Sequence, residues 1–333
     1  MKRTSKASKP ATVHDVARVS GVSTATVSRV FNGKLGSVLP ETAERVRTAA
    51  RGLGYTPSEI GRSLRLATTT VVVMLVPDAT NDFCADVAVS VERSLKAVGL
   101  SMVLMNTSED ADQQDQLLSD AEGLRPHGLV LLGAIDTPKL REIAERHKRL
   151  VFLNRRPPPA IKAPYVGIDN MAAGLEVGRY FARQGYEHCA VIHGPRQYSA
   201  SRDRLEGFLE GYGDRASVRQ IESTLNMEAG YEHGLELLKE DKVRAVFCGN
   251  DMIAYGIHRA AMECGVRVPE DLAICGFDDN RVNEWLAPWL TTVKVPALDF
   301  GPAVAALFDP DNSADIQSDD VVLPFTLTKR KSA

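Results

Sequence analysis

The chain has 333 residues, of which 44% are hydrophobic and 25% charged, with a net charge of −3. That composition describes two or three globular domains rather than a disordered or fibrous chain, and no apolar run approaches the ~20 residues that would cross a bilayer. The near-neutral total conceals a split: residues 1–66 carry 12 Lys and Arg against 4 Asp and Glu, a balance of +8 that leaves −11 on the other 267 residues.

A basic first fifth on an acidic body points to a polyanionic partner for that fifth alone. The opening MKRTSKASKP is basic but leads into no signal-type apolar region, so residues 1–11 read as a disordered arm. Residues 12–54 read as helical with short breaks, within a headpiece of residues 12–56. In TVHDVARVSGVSTATVSRVFN, Thr12 is placed to cap a first helix and Val13, Val16, Ala17 and Ser20 recur at helical spacing. Gly21 permits a tight turn, and Ser23 is placed to cap a second helix over about Thr24–Asn32. Val27, Val30 and Phe31 form an apolar stripe on it, joined by Val22, while Thr24, Ala25, Ser28 and Arg29 fall on the opposite face. Pro40 opens a third helix, Glu41–Leu53, and Gly54 closes it.

Two helices crossing through a short turn suit a helix-turn-helix. A second helix with a short polar end can enter the major groove. Thr24, Ala25, Thr26 and Ser28 are then expected at the DNA, with Arg29 forking onto guanine. Thr12, Asn32 and Tyr55 are candidates for phosphate contacts, which position without specifying sequence. An ordinary three-helix bundle would show the same amphipathic triplet; the local charge favours DNA.

From Val71 the texture changes. Apolar runs at Val71–Val76, Met102–Met105, Leu129–Leu132, Leu150–Leu153, Tyr165–Ile168, Ala190–Ile192, Ala245–Cys248 and Leu272–Cys275 alternate with amphipathic segments. Those segments are Phe83–Ala97, Gln113–Leu124, Ala172–Arg183, Asp203–Tyr212, Ala229–Leu238 and Ile253–Cys264. Continuous apolar strands separated by helices predict parallel sheets covered on both faces. So many units predict an α/β core, residues 69–333, of two doubly wound parallel-sheet subdomains with a cleft between them. Phe308–Asp320 reads as an acidic loop before a last strand, Val321–Leu327.

The five cysteines, Cys84, Cys189, Cys248, Cys264 and Cys275, form no CxxC pair. Three of them lie within or at the edge of apolar runs, so buried free thiols, a reducing cytoplasmic setting and no zinc site are expected. In an open α/β fold, ligands bind in the crevice at strand C-termini. Phe83, Asn154, Asn250 and Asp278 fall at such points. The alternative for Asn250-Asp251 is a helix N-cap, and for Asp278-Asp279 a solvated turn.

TVHDVARVSGVSTATVSRVFNG, PETAERVRTAARGLGYTPS and RSLR resemble the headpiece and hinge of the lactose-repressor (LacI-type) family. VPDATNDF, GIDNMAAG, RDRLEGF, GNDMIAYGIHRA, VPEDLAICGFDD and LTTVKVP resemble its effector-binding core, which is also similar to periplasmic sugar-binding proteins. The likeness runs from about Thr12 to Arg330. It implies a transcription regulator, a repressor, working as a homodimer or a tetramer on a near-palindromic double-stranded operator. It also implies a hinge within residues 57–68 that orders on DNA, with Leu64 as a minor-groove wedge and Arg65 beside it. In the core it implies Arg204, Asn250 and Asp278 as polar contacts to a small-molecule effector, a sugar or sugar derivative. The chain departs from the pattern in places. Gly61 stands where alanine is usual in the hinge, and Leu39 replaces the serine before Pro40. Leu225 replaces a stacking aromatic in the pocket, and Arg202 beside Arg204 opens the way to an acidic or phosphorylated effector.

No G-x-G-x-x-G after a strand, P-loop or H-E-x-x-H occurs, and neither a cofactor nor a catalytic role is expected. The competing reading is a DNA-binding regulator gated by a protein partner or by nothing. A cytoplasmic, nucleoid-associated protein is expected either way.

Overall fold

A computed structural model describes residues 11–31, 38–55, 69–213, 218–239, 243–308 and 320–333. The chain divides into two units between Thr69 and Thr70. Asn32, Gly61, Leu64, Arg65 and the loop Gly33–Ser37 lie outside the described residues, as does most of the acidic stretch before Asp320.

Among the described residues the first unit holds α1 (Val13–Ser20), α2 (Thr24–Phe31) and α3 (Pro40–Leu53). Thr12 closes a capping box: its hydroxyl oxygen accepts from the Asp15 N–H, and the Asp15 carboxylate accepts from the Thr12 N–H at 3.0 Å. These bonds, with Arg18 nearby, hold the Asp15 carboxyl down at about 2. Gly21 then turns the chain at φ +67°, a left-handed conformation that side chains resist. Ser23 Oγ accepts from the Thr26 N–H at 3.2 Å and so caps α2, as expected. At α3 the substitution at Leu39 has its consequence: the N-cap makes no side-chain bond, and only Pro40 marks the start. The three helices close over Val16, Ala17, Val27, Val30, Ala43, Val46, Ala49 and Ala50.

The second unit holds two six-stranded sheets among the described residues. The first contains β1 (Val71–Val76), β2 (Ser101–Asn106), β3 (Gly128–Leu132), β4 (Leu150–Leu153), β5 (Tyr165–Ile168) and β11 (Val321–Leu323). Its order is β11-β5-β4-β3-β1-β2, all parallel. The second contains β6 (Cys189–His193), β7 (Val218–Glu222), β8 (Ala245–Cys248), β9 (Ala273–Asp278), β10 (Thr291–Lys294) and β12 (Thr326–Thr328). Its order is β12-β10-β9-β8-β6-β7, parallel except for the β10–β12 pair.

β1 shows why the strands read as continuous apolar runs. Val73 and Leu75 enter one core with Leu118, Leu129, Leu140 and Phe152, while Val72, Met74 and Val76 enter another with Phe83, Val87 and Val91. Both faces are covered, so no position can be polar. The helices covering the first sheet are α4 (Asp82–Ala97), α5 (Ala111–Gly123), α6 (Pro138–Arg146) and α12 (Phe300–Phe308). Those of the second are α7 (Asn170–Gln184), α8 (Ser199–Tyr212), α9 (Met227–Lys239), α10 (Asp251–Glu263) and the short α11 (Asn283–Leu286).

The expected last strand, Val321–Leu327, is instead two strands. β11 joins the first sheet, β12 the second, and Pro324-Phe325 carries the chain between them. A proline cannot donate to a ladder, so the ladder breaks there. The chain passes between the sheets twice more, after β5 and after β10. β7 escapes the apolar pattern because it is an edge strand with only partial burial.

Candidate DNA-binding face and effector cleft

On α2 the sequence stripe becomes two faces. Val27 and Val30 are buried, whereas Ala25 and Arg29 are exposed and Thr24, Thr26 and Ser28 half-exposed. Arg29 makes no ion pair among the described residues. By contrast, Arg47 and Arg51 lie on Glu44 at 3.8 and 2.8 Å, and Arg18 lies on Asp15. The exposed face of α2 thus offers small side chains, hydroxyls and one guanidinium. Thr12 is exposed, but its hydroxyl serves the α1 cap. Tyr55 is half-buried with its ring edge-on to Phe31, centroids 5.9 Å apart, which ties the end of α3 to α2.

In the second unit, a cleft of about 350 Å³ opens where the two sheets present their strand C-termini. Phe83, Asn154, Arg204, Leu225, Asn250 and Asp278 all line it. Arg202 does not. It points away, its guanidinium held by the neighbouring Asp203 at 2.8 Å, so the anion-binding pair of arginines expected from sequence is not formed. One turn of α8 separates residue faces by 100° per step, and two residues apart cannot face the same way.

Arg204 is buried and tightly held. Its Nε donates to Asn170 Oδ1 and its Nη1 to the Gly249 carbonyl, both at 2.8 Å, and its plane lies 3.6 Å over the Phe277 ring. The seat depends on α7 approaching α8 very closely: a Cβ at Gly174 would lie 2.2 Å from the Arg204 carbonyl oxygen. Asp278 ends β9 with a left-handed backbone, φ +104°, unusual for a side chain with a Cβ. Burial pushes its carboxyl up to about 8, with the charge of Arg204 working against that. Asn250 is the α10 N-cap after all: its Oδ1 accepts from the Ile253 N–H at 3.0 Å, while its Nδ2 donates to the Leu225 carbonyl at 3.0 Å. Asp278 is no solvated turn, being 6% exposed.

The pocket side of Leu225 is half-buried and packs against the backbone at Gly194 and Gly249, where an aromatic ring would need more room. The adjacent Asp251 is fully buried and lies behind the cleft. Thr292, the Asn280 N–H and Asn283 all donate to its carboxylate, and burial raises its pKa to about 7.

On the other wall sequence reasoning reached Phe83 and Asn154 and missed the rest. Arg155, directly after Asn154, lines the cleft with Asp78, Asn106, Ser108 and Glu109. Arg155 donates to the Gly133 carbonyl at 2.7 Å, pairs with Glu109, and stacks 3.7 Å over Tyr198 of the opposite subdomain. The available signal was the rule already used for Asn154: these residues follow β1, β2 and β4. Among the described residues all five cysteines are free; Cys84 is buried in addition to the three expected, and Cys264 is exposed. No helix among them is long and apolar enough to cross a membrane.

A helix-turn-helix unit joined to a two-sheet core with a polar cleft at its strand ends defines a ligand-sensing DNA-binding regulator. Two family models match: "Bacterial regulatory proteins, lacI family" over residues 12–58 and "Periplasmic binding protein-like domain" over 179–333. The chain is 32% identical to the ribose operon repressor of Escherichia coli (strain K12), over 97% of this chain and 100% of that protein. It is 31% identical to the HTH-type transcriptional repressor PurR of Vibrio vulnificus, over 86% of this chain and 87% of that one. Catabolite control protein A of Priestia megaterium is 30% identical over 96% and 98%. A lac repressor dimer bound to operator and an anti-inducer superposes with a TM-score of 0.83 at 22% identity, covering 97% of this chain and 99% of that one, which shows the shared fold. A transcriptional regulator CelR–cellobiose complex matches at 27% identity with a TM-score of 0.71, over 97% and 100%.

The chain belongs to the lacI family of bacterial regulatory proteins. It is a DNA-binding transcription regulator of a repressor family whose cores take small-molecule effectors, and it is not an enzyme.

Proposed function

We propose that this regulator is a repressor whose operator affinity is set by a small molecule, a sugar or sugar derivative, bound in the cleft between the two subdomains. The observation that carries this reading is the cleft itself, which gathers Arg204, Asn250, Asp278 and Asn154 from both subdomains at strand C-termini. A sugar operon repressor among the relatives supports the same class.

In this reading residues 1–11 are an arm, 12–56 the headpiece, 57–68 the hinge and 69–333 the core. Thr24, Ala25, Thr26, Ser28 and Arg29 read bases; Thr12, Asn32 and Tyr55 lie at phosphates; Leu64 and Arg65 act in the minor groove. Two chains form a homodimer on a near-palindromic operator, on the bacterial nucleoid in the cytoplasm; the lac repressor dimer seen on its operator supports the arrangement. The effector acts by preferring one of two subdomain arrangements, and it shifts operator affinity only by that difference.

The test is to map bound DNA across the genome, then titrate the recovered operator with the full chain in the presence of the sugars handled by neighbouring genes. The expected result is a near-palindromic site whose affinity changes with one of them. If no small molecule binds the core or moves operator affinity, the protein is gated otherwise and the effector reading fails.

A further inference from the structure

Resting on the effector reading of the cleft, the geometry points to a neutral, hydroxyl-bearing effector and against an anionic one. Three features of the lining carry this.

The first is charge. The lining holds Asp78, Glu109 and Asp278 against Arg155 and Arg204. Even with a proton on one carboxyl the two signs only balance. Neither cation offers a free fork: Arg155 is paired with Glu109 and committed to the Gly133 carbonyl, and Arg204 gives Nε to Asn170 and Nη1 to the Gly249 carbonyl, which leaves only Nη2, with Asp278 beside it. A phosphate or carboxylate would have to displace these partners, whereas anion sites present free guanidinium forks.

The second is the helix ends. Anions are also held by bare N–H groups at helix N-termini. Three helices start at this cleft, and a side chain from the lining occupies each end. Asn81 accepts from the N–H groups of Phe83 and Cys84 on α4. Asn226 accepts from Ala229 on α9, and Asn250 from Ile253 on α10. All three caps are neutral amides, so the ends are filled without adding charge.

The third is an unmet acceptor. Asn154 lines the cleft, and its Oδ1 accepts no hydrogen bond and is closed to solvent, so a turn of this amide towards the ligand satisfies it; the backbone is held in the left-handed region at φ +62°. Asp278, similarly left-handed, adds a second acceptor. The cleft therefore asks its ligand for hydrogen-bond donors. Hydroxyls supply them, while Leu225 and Phe83 give an uncharged, apolar side. A volume of about 350 Å³ suits a monosaccharide or small disaccharide.

The test is calorimetry on the full chain with neutral aldopentoses, aldohexoses and disaccharides, and with the phosphate esters and uronates of the same sugars, run beside operator titrations. A neutral member should bind and shift operator affinity, and its charged counterpart should bind at least about 100-fold more weakly. Glu109→Gln, which frees Arg155, should raise affinity for the phosphate ester about tenfold. Asn154→Gly suits the backbone and removes the acceptor; it should weaken the neutral ligand about tenfold with no loss of melting temperature. Tighter binding of a charged member would overturn this inference and leave the effector reading standing. An unchanged response in Glu109→Gln would overturn the role given to the Arg155–Glu109 pair, and an unchanged affinity in Asn154→Gly the role given to the acceptor. If nothing on either side binds or moves the operator, the effector reading falls and takes this one with it.

Discussion

The two units of this regulator are held together differently. Among the described residues the headpiece closes on eight buried apolar side chains, none larger than valine, and relies on a capping box, a serine cap and a glycine turn to fix its helices. The core buries Phe152, Phe181, Phe208, Phe247, Phe277, Phe300 and Phe308 completely, under sheets covered on both faces. A small domain has little apolar area to spare, so local devices worth about 1 kcal/mol each matter to it. In the core such terms are minor, and close packing decides. Function follows the same division. The headpiece keeps its chemistry on an exposed helix face; the core encloses it among groups whose charges are already spoken for.

Substitutions should separate the units in order of size. Gly178→Val is the most damaging: its Cβ would lie 2.2 Å from the Phe208 carbonyl oxygen and 2.7 Å from the Tyr212 nitrogen, backbone atoms that cannot yield without parting α7 from α8. A loss of more than about 4 kcal/mol is expected in the core transition of a calorimetric scan. A melt unchanged within error would show that the helices can separate.

Two carboxyls, one in each unit, should also answer pH with opposite signs. Asp251 is raised to about 7 by burial, so the folded core holds its proton more tightly than the unfolded chain. That contribution is full below pH 4 and is lost as pH rises to about 7, a change of a few kcal/mol. Asp15 is lowered to about 2 by its bonds to Thr12, so the headpiece gains from it above pH 4 and loses it as pH falls towards 2. Melting the wild type against Asp251→Asn and Asp15→Asn across pH 3–8 checks both slopes, and slopes of the same sign would break the contrast.

Val46→Ala removes two methyls from the centre of the headpiece and should cost roughly 2–3 kcal/mol. Operator binding should fall while ligand binding by the core is untouched; loss of both would mean the units are not separable. Arg29→Ala should cost about 1–3 kcal/mol on the cognate operator and relax specificity at one base pair. An equal loss on all sequences would make Arg29 a phosphate contact. Thr12→Ala should cost about 1 kcal/mol of headpiece stability, read in the same melts.

Much of this was legible in one dimension. Period-3.6 stripes and caps at Thr12, Ser23 and Gly21 placed the three headpiece helices, because those elements are fixed by neighbours in sequence. Four strands, β1, β4, β5 and β8, were readable to the residue because burial on both faces leaves no polar position to blur the ends. β7 was not readable, since an edge strand is only half buried, and α6 and α12 were missed for want of a long stripe. In the cleft, strand-end reasoning reached Asn154 but stopped short of Arg155, although the rule covers both.

The sequence by itself determined the class of the molecule: a basic helix-turn-helix, two doubly wound sheets, and a ligand site at strand ends. These depend on patterns a few residues long. Only the tertiary structure decided that the Asn250 amide nitrogen donates to the Leu225 carbonyl, that Arg204 is held by Asn170, that Glu109 neutralises Arg155 from 46 residues away, and that Val321–Leu323 and Thr326–Thr328 serve different sheets. Each of these turns on what lies across the fold from a residue. Charge pairing and desolvation act through space, and no local pattern records them.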